Sequence, residues 1–188
     1  MTAAPDLTGK LLVAMPGMTD PRFDRSVVFL CAYSEEGAMG LIVNKPAPEL
    51  ILSDILEQLE IGNAKETAKL PVYFGGPVET ARGFVLHSGE YKSRLQTLEV
   101  DDGFGMTATL DVLEDLASGE GPEKAMVMLG YSGWGPGQLD SEIARNGWLV
   151  ASADPKLVFG TDCDDKWVAA IKSLGIDPLV LSSTAGRA

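Results

Sequence analysis

The chain has 188 residues, 45% of them hydrophobic, two cysteines, one histidine and a formal net charge of −12. A chain this long buries roughly 70% of its unfolded surface on folding, so it needs no staples, and two cysteines 132 positions apart do not make a disulfide framework. No apolar run approaches the roughly 20 residues of a membrane-spanning helix. The N-terminus MTAAPDLTGK lacks the pattern of a secretory signal, and the negative charge repels a phosphate backbone, which argues against direct nucleic-acid binding. These features predict a single soluble domain over residues 1–188, at home in a reducing cytoplasm, with no membrane contact.

In chain order, the first strands are predicted at KLLVAM (10–15), SVVFLCAY (26–33) and AMGLIVN (38–44). The second and third show no polar alternation, so both of their faces should be covered. Ser53 is placed to cap a helix that runs to Leu59. Strands follow at PVYF (71–74), GFVLH (83–87) and MTATL (106–110). Asp111 with Glu114 then resembles a capping box for a helix closed by Gly119. AMVMLG (125–130) is the next strand, Gln138 to Arg145 a third helix, WLVA (148–151) the last strand and Asp164 to Leu174 a fourth helix. Gly40, Gly83 and Gly105 lie inside or beside strands, where glycine marks bulges and bends. The resulting expectation is an α+β fold of bent, coiled mixed sheets with a few short helices packed outside.

Chemistry-bearing candidates are few. Cys31 ends a strand among apolar neighbours, as a small buried hydrophobe does. Alternatively it is a thiolate nucleophile or redox sensor, with His87, at the end of another strand, as its base. Cys163 is surrounded by Asp162, Asp164 and Asp165, which disfavour its thiolate and read as a solvated helix cap. The stretch GYSGWGPGQLDSEI (130–143) is rich in glycine but matches neither a Walker phosphate loop nor a dinucleotide fingerprint. It reads as a tight strand-to-helix turn, or as a loop whose free N–H groups at Gln138 take an anion. Gly75-Gly76-Pro77 reads as a turn, with Arg82 free to pair with a carboxylate of the fold or of a ligand. Nothing in the pattern calls for a metal or a cofactor.

LLVAMPGMTDPRFDRSVVFLC, GAMGLIVNKP, FGGPV, RGFVLH, DVLEDL, LGYSGWGPGQLDSEIARNGWL and a C-terminal AGRA, in this order over nearly the whole chain, resemble the YqgE/AlgH family of bacterial proteins. The resemblance implies a compact α+β unit of coiled sheets with two interlocked subdomains, and a label of transcriptional regulator without an established activity. It places Cys31, Gly75, Gly76, Pro77, Arg82, His87, Trp134, Gly137, Gln138, Glu142 and Trp148 at motif positions. Relatives often carry histidines where this chain has Tyr33 and Arg187, and both losses favour a role without catalysis. The leading expectation is therefore a binding or regulatory protein that acts through a small ligand or a protein partner, with Gly75, Gly76, Arg82, Trp134, Gly137 and Gln138 as candidate ligand contacts. The alternative is a thiol-dependent enzyme or redox sensor using Cys31 with His87.

Overall fold

The structure is a computed structural model, and it describes residues 6–18, 20–62, 69–101 and 103–180. Strands β1 (Lys10–Ala14), β2 (Val27–Ser34) and β3 (Gly37–Ile42) open the chain and β4 (Pro46–Ile51) follows them. Helix α1 (Leu52–Gln58), strands β5 (Pro71–Phe74), β6 (Val78–Ser88), β7 (Leu98–Asp101) and β8 (Phe104–Thr107), and helix α2 (Leu110–Ser118) come next. The chain continues with β9 (Ala125–Trp134), α3 (Gln138–Ala144), β10 (Trp148–Ser152), α4 (Pro155–Gly160) and α5 (Cys163–Ser173). The strands form one curled sheet in the order β10-β1-β2-β3-β9-β6-β8-β7, with β4 and β5 branching from β9. Every pairing is antiparallel except β5 with β9. This is the bent mixed sheet with short helices expected above, closed into a half-barrel.

The period of two along each strand explains why the apolar runs lack alternation. Leu11, Val13, Val27, Phe29, Cys31, Leu41 and Val43 point into a central core, where α4 and α5 supply Val158, Trp167, Ala170 and Ile171. Their neighbours Leu12, Ala14, Val28, Leu30 and Ile42 point the other way, into a second core that Leu139 of α3 covers with Trp134 and Trp148. A third core lies beyond β6 and β9, where Val85 and Val127 meet Leu52 and Leu56 of α1 and Val112, Leu113 and Leu116 of α2. Each fully buried side chain of this size contributes about 1.5–3 kcal/mol, and the strands collect that on both faces.

The glycines mark where the sheet bends. The β2–β3 register shifts between Leu30 and Ala32, across from Gly40, and the β6–β9 register shifts between Val78 and Gly83. Strand β9 pivots at Gly130 (φ 79°): before it the strand pairs with β5 and β6, and after it Tyr131 still pairs with Val78 of β6 while Ser132, Gly133 and Trp134 pair with Gly40, Met39 and Ala38 of β3.

Several boundaries differ from the sequence reading. The GYSGW segment is strand rather than loop, because β3 supplies hydrogen-bond partners that a local reading does not see. Ser53 is not a cap; Ile51 is, and the Asp54 carboxylate accepts its backbone N–H at 2.9 Å. The strand predicted to run to Leu110 stops at Thr107, so Thr109 caps α2, and Asp111 accepts the hydroxyls of Ser93 and Thr109 and the Arg94 N–H instead of capping. Strands β4 and β7 and helix α4 were not anticipated; β4 and β7 carry no clear hydrophobic run.

Candidate functional site

Cys31 and His87 are not brought together. Cys31 is 1% exposed and its thiol, stripped of water, is pushed up to about 12. It shares the central core with Phe84 and Leu86 of β6. His87, the next residue along β6, therefore faces the other way, where its ring meets Tyr91 edge-on at 5.1 Å between centroids. The Ser88 carbonyl, 2.9 Å from Nδ1, only accepts, so Nδ1 carries the proton. Nε2 then accepts the Thr107 hydroxyl at 2.8 Å, and Thr107 in turn accepts that of Thr97 at 2.8 Å. Burial lowers the His87 pKa and favours the neutral ring. Gly105 stands opposite His87, and a Cβ there would lie 2.7 Å from the ring. The pair expected to act as nucleophile and base is separated by the sheet itself.

Beyond the strand, the glycine-rich stretch turns over Gly135–Gly137, and its own side chains hold the turn. Gly137, at φ 72°, precedes α3, and the Gln138 N–H turns back to the Gly135 carbonyl at 3.1 Å. Gln138 Oε1 accepts the Gly135 N–H at 3.0 Å, and its Nε2 donates to Glu142 at 3.0 Å. The other Glu142 oxygen accepts the indole N–H groups of Trp134 and Trp148, at 3.1 and 2.9 Å. The Gln138 N–H at the start of the seven-residue α3 is thus used by the loop itself. Gly75 and Gly76 belong to a backbone crossing. A Cβ on Gly75 would lie 2.3 Å from the Gly130 carbonyl oxygen, and one on Gly76 would lie 2.1 Å from the Tyr131 carbonyl carbon. Both are buried and line neither of the depressions described below.

Arg82 is different. Its exposed guanidinium lies 5.1 Å from the Phe84 ring centroid and makes a long 3.4 Å contact with Glu79. It sits where a cleft and a shallower groove adjoin, and both are walled by Arg82, Phe84 and Ala108. The cleft, about 440 Å³, lies between α1, the start of α2 and β6. Leu50, Ile55, Leu59, Val85, Leu110 and Leu113 are among its apolar wall residues, and Asp54, Gln58, Arg82, Thr107 and Thr109 are its polar groups. The groove carries Met39, Met106, Tyr131 and Trp134. Strand β8 ends at Thr107, opposite Val85, and leaves Gly83 and Arg82 with no β8 partner, which opens the sheet at that edge. Of the expected ligand contacts, Arg82 and Trp134 meet at the groove, while Trp134 and Gln138 share a separate hollow with Glu142 and Trp148.

Sequence reasoning missed the cleft, because its walls come from α1, α2 and β6, which are remote along the chain. It also missed Lys166, which is 2% exposed on α5, donates to the Val43 carbonyl at 2.7 Å and lies 5.7 Å from the Tyr73 ring centroid. Burial lowers its pKa. Cys163, one turn earlier and half-buried, lies 4.0 Å from the same carbonyl, and burial pushes its thiol up. Tyr33 hydrogen-bonds Asp140 of α3, and Arg187 lies outside the described residues. Among the described residues no cluster of His, Cys, Asp and Glu is arranged to hold a metal ion, and no helix is long and apolar enough to cross a membrane.

Comparison with known proteins places this fold. A family model described as AlgH-like matches residues 11–179. A UPF0301 protein of Ruegeria pomeroyi is 65% identical over 97% of this chain and 100% of its own length, and one of Jannaschia is 56% identical over 97% and 96%. The solution structure of the AlgH protein from Pseudomonas aeruginosa superposes with a TM-score of 0.80 at 38% identity, over 97% of this chain and 96% of that one. A Corynebacterium diphtheriae protein, at 21% identity and a TM-score of 0.76, shares the fold. The chain belongs to the AlgH-like family, with the UPF0301 proteins.

Proposed function

We propose that this is a cytoplasmic binding protein with a regulatory role and no catalysis, and that the cleft between α1, α2 and β6 is its ligand site. The observation that carries this reading is the cleft itself. It is concave, its volume of about 440 Å³ falls in the usual range for small-molecule sites, and a mainly apolar wall is interrupted by a few polar groups. Thiol chemistry through Cys31 and His87 draws no comparable support, since the thiol is buried and both ring nitrogens of His87 are engaged elsewhere.

Gly83 gives the test. It lies on the cleft wall on the same face of β6 as Val85, and a Cβ there would meet nothing within 4 Å. Gly83→Leu is expected to project its side chain into the cleft, since its Cβ meets no backbone. A metabolite library is screened by thermal shift against the wild type and this variant. The expected result is at least one compound that stabilises the wild type saturably and leaves Gly83→Leu unmoved. If every compound that stabilises the protein does so equally in the variant, the cleft is not the site.

A further inference from the structure

We infer that the ligand of this cleft is a single-chain amphipath, an alkyl chain ending in an anionic head such as a carboxylate, with its tail between α1 and α2 and its head on Arg82. The inference rests on the reading of the cleft as a ligand site and names the class of molecule that fits it.

The cleft wall holds two charged side chains, Asp54 and Arg82. Asp54 keeps its charge, and its carboxylate is held at the start of α1, where it accepts the Ile51 N–H. Arg82 is held less tightly. Its only ion pair among the described residues is the 3.4 Å contact with Glu79, longer than a charge-assisted hydrogen bond of about 2.7–2.9 Å, and both side chains are more than half exposed. An exposed pair of this kind is worth little and is readily exchanged. A guanidinium presents a planar fork of donors that matches a carboxylate bidentately.

Position adds to charge. Arg82 walls both the cleft and the groove, so it marks the lip where the sheet edge opens beyond Thr107. Deeper in, the wall is Val85, Val112, Leu113, Val127 and Leu129, with no charged group. Leu59 and Leu110 are 42% and 55% exposed at the cleft, an apolar margin that a bound alkyl chain would cover. A molecule polar at one end and apolar along its length satisfies both halves of this surface. A cationic amphipath would set its charge against Arg82, and a compact polar metabolite would leave the apolar wall bare.

The test uses the full-length protein and dodecanoate, dodecanol and dodecyltrimethylammonium below their micellar concentrations, with affinities read by amide chemical-shift titration. Dodecanoate is expected to bind saturably at one site, about tenfold more tightly than dodecanol, a difference of about 1.4 kcal/mol. Arg82→Gln should remove that advantage and leave dodecanol unchanged. Gly83→Leu, checked for unaltered thermal melting, should abolish binding of both. If dodecanol or the ammonium binds as well as dodecanoate, or if Arg82→Gln changes nothing, the anionic class is overturned while the cleft stands as the site. If no alkyl compound binds the wild type, the amphipath is overturned, and the library screen against Gly83→Leu alone decides the cleft. Binding that survives Gly83→Leu overturns both.

Discussion

Cys31 and His87 lie on opposite faces of one curled sheet: the thiol belongs to the same central core as Leu86, and the buried imidazole of the next residue faces the other way, against Tyr91 and Thr107. A base within reach of a nucleophile needs about 3 Å or one bridging water, and strand alternation puts the sheet between them.

The thiols should therefore differ in reactivity. In native protein treated with iodoacetamide across pH 7 to 9, Cys163 is expected to alkylate slowly and Cys31 not at all, because Cys31 is buried with its pKa pushed up to about 12. In denaturant both should react. Mass spectrometry separates the two peptides, and native-state labelling of Cys31 at a rate near that of a free thiol would contradict its place in the core.

His87 should make stability depend on pH near neutrality. Its folded pKa is lowered by burial, so as pH falls through the unfolded value of about 6.5 the unfolded chain gains a proton that the folded one refuses. The unfolded state binds more protons, so stability is lost as pH falls and regained as it rises. It is fully present above about pH 6.5. The urea midpoint is expected to be lower at pH 5.5 than at pH 8, with a smaller difference in His87→Gln. An unchanged or rising midpoint toward acid in the wild type would rule out a buried neutral imidazole.

The crossing of the two glycine segments should be intolerant of a methyl group. Gly130→Ala would set a Cβ 2.3 Å from the Gly76 carbonyl oxygen, and Gly76→Ala would set one 2.1 Å from the Tyr131 carbonyl carbon. Each is expected to cost roughly 3 kcal/mol, because backbone on both sides has to shift. Gly137→Ala, with open space around its Cβ and only a left-handed φ of 72° to hold, should cost about 1 kcal/mol. Urea denaturation of the three variants orders them, and equal losses would mean that close approach does not govern this crossing.

Glu142 should be worth more than a surface carboxylate. Glu142→Ala leaves the indole N–H groups of Trp134 and Trp148 unpaired, on residues 7% and 2% exposed, with an expected loss of about 2 kcal/mol or more. Glu142→Gln keeps an oxygen for both indoles and should lose less than half as much. Tryptophan fluorescence during urea unfolding reports the change, and an Ala variant as stable as the Gln variant would remove Glu142 from this role.

The sequence by itself determined the family, the α+β class, most of the strands and the places where the sheet bends. Those signals are local: apolar runs such as SVVFLCAY, glycines inside strands, and motifs read in order along the chain. It also raised Arg82, which the structure sets at the lip of the cleft. Only the tertiary structure decided which candidates share a site. Whether Leu86 and His87 face the same core depends on what covers each side of β6, and whether GYSGW is loop or strand depends on β3, some ninety residues earlier. The cleft has no sequence signature, because its walls come from α1, α2 and β6, and only the early end of β8 leaves it open. Local propensity sets what each segment can become, and long-range pairing and burial set what it faces.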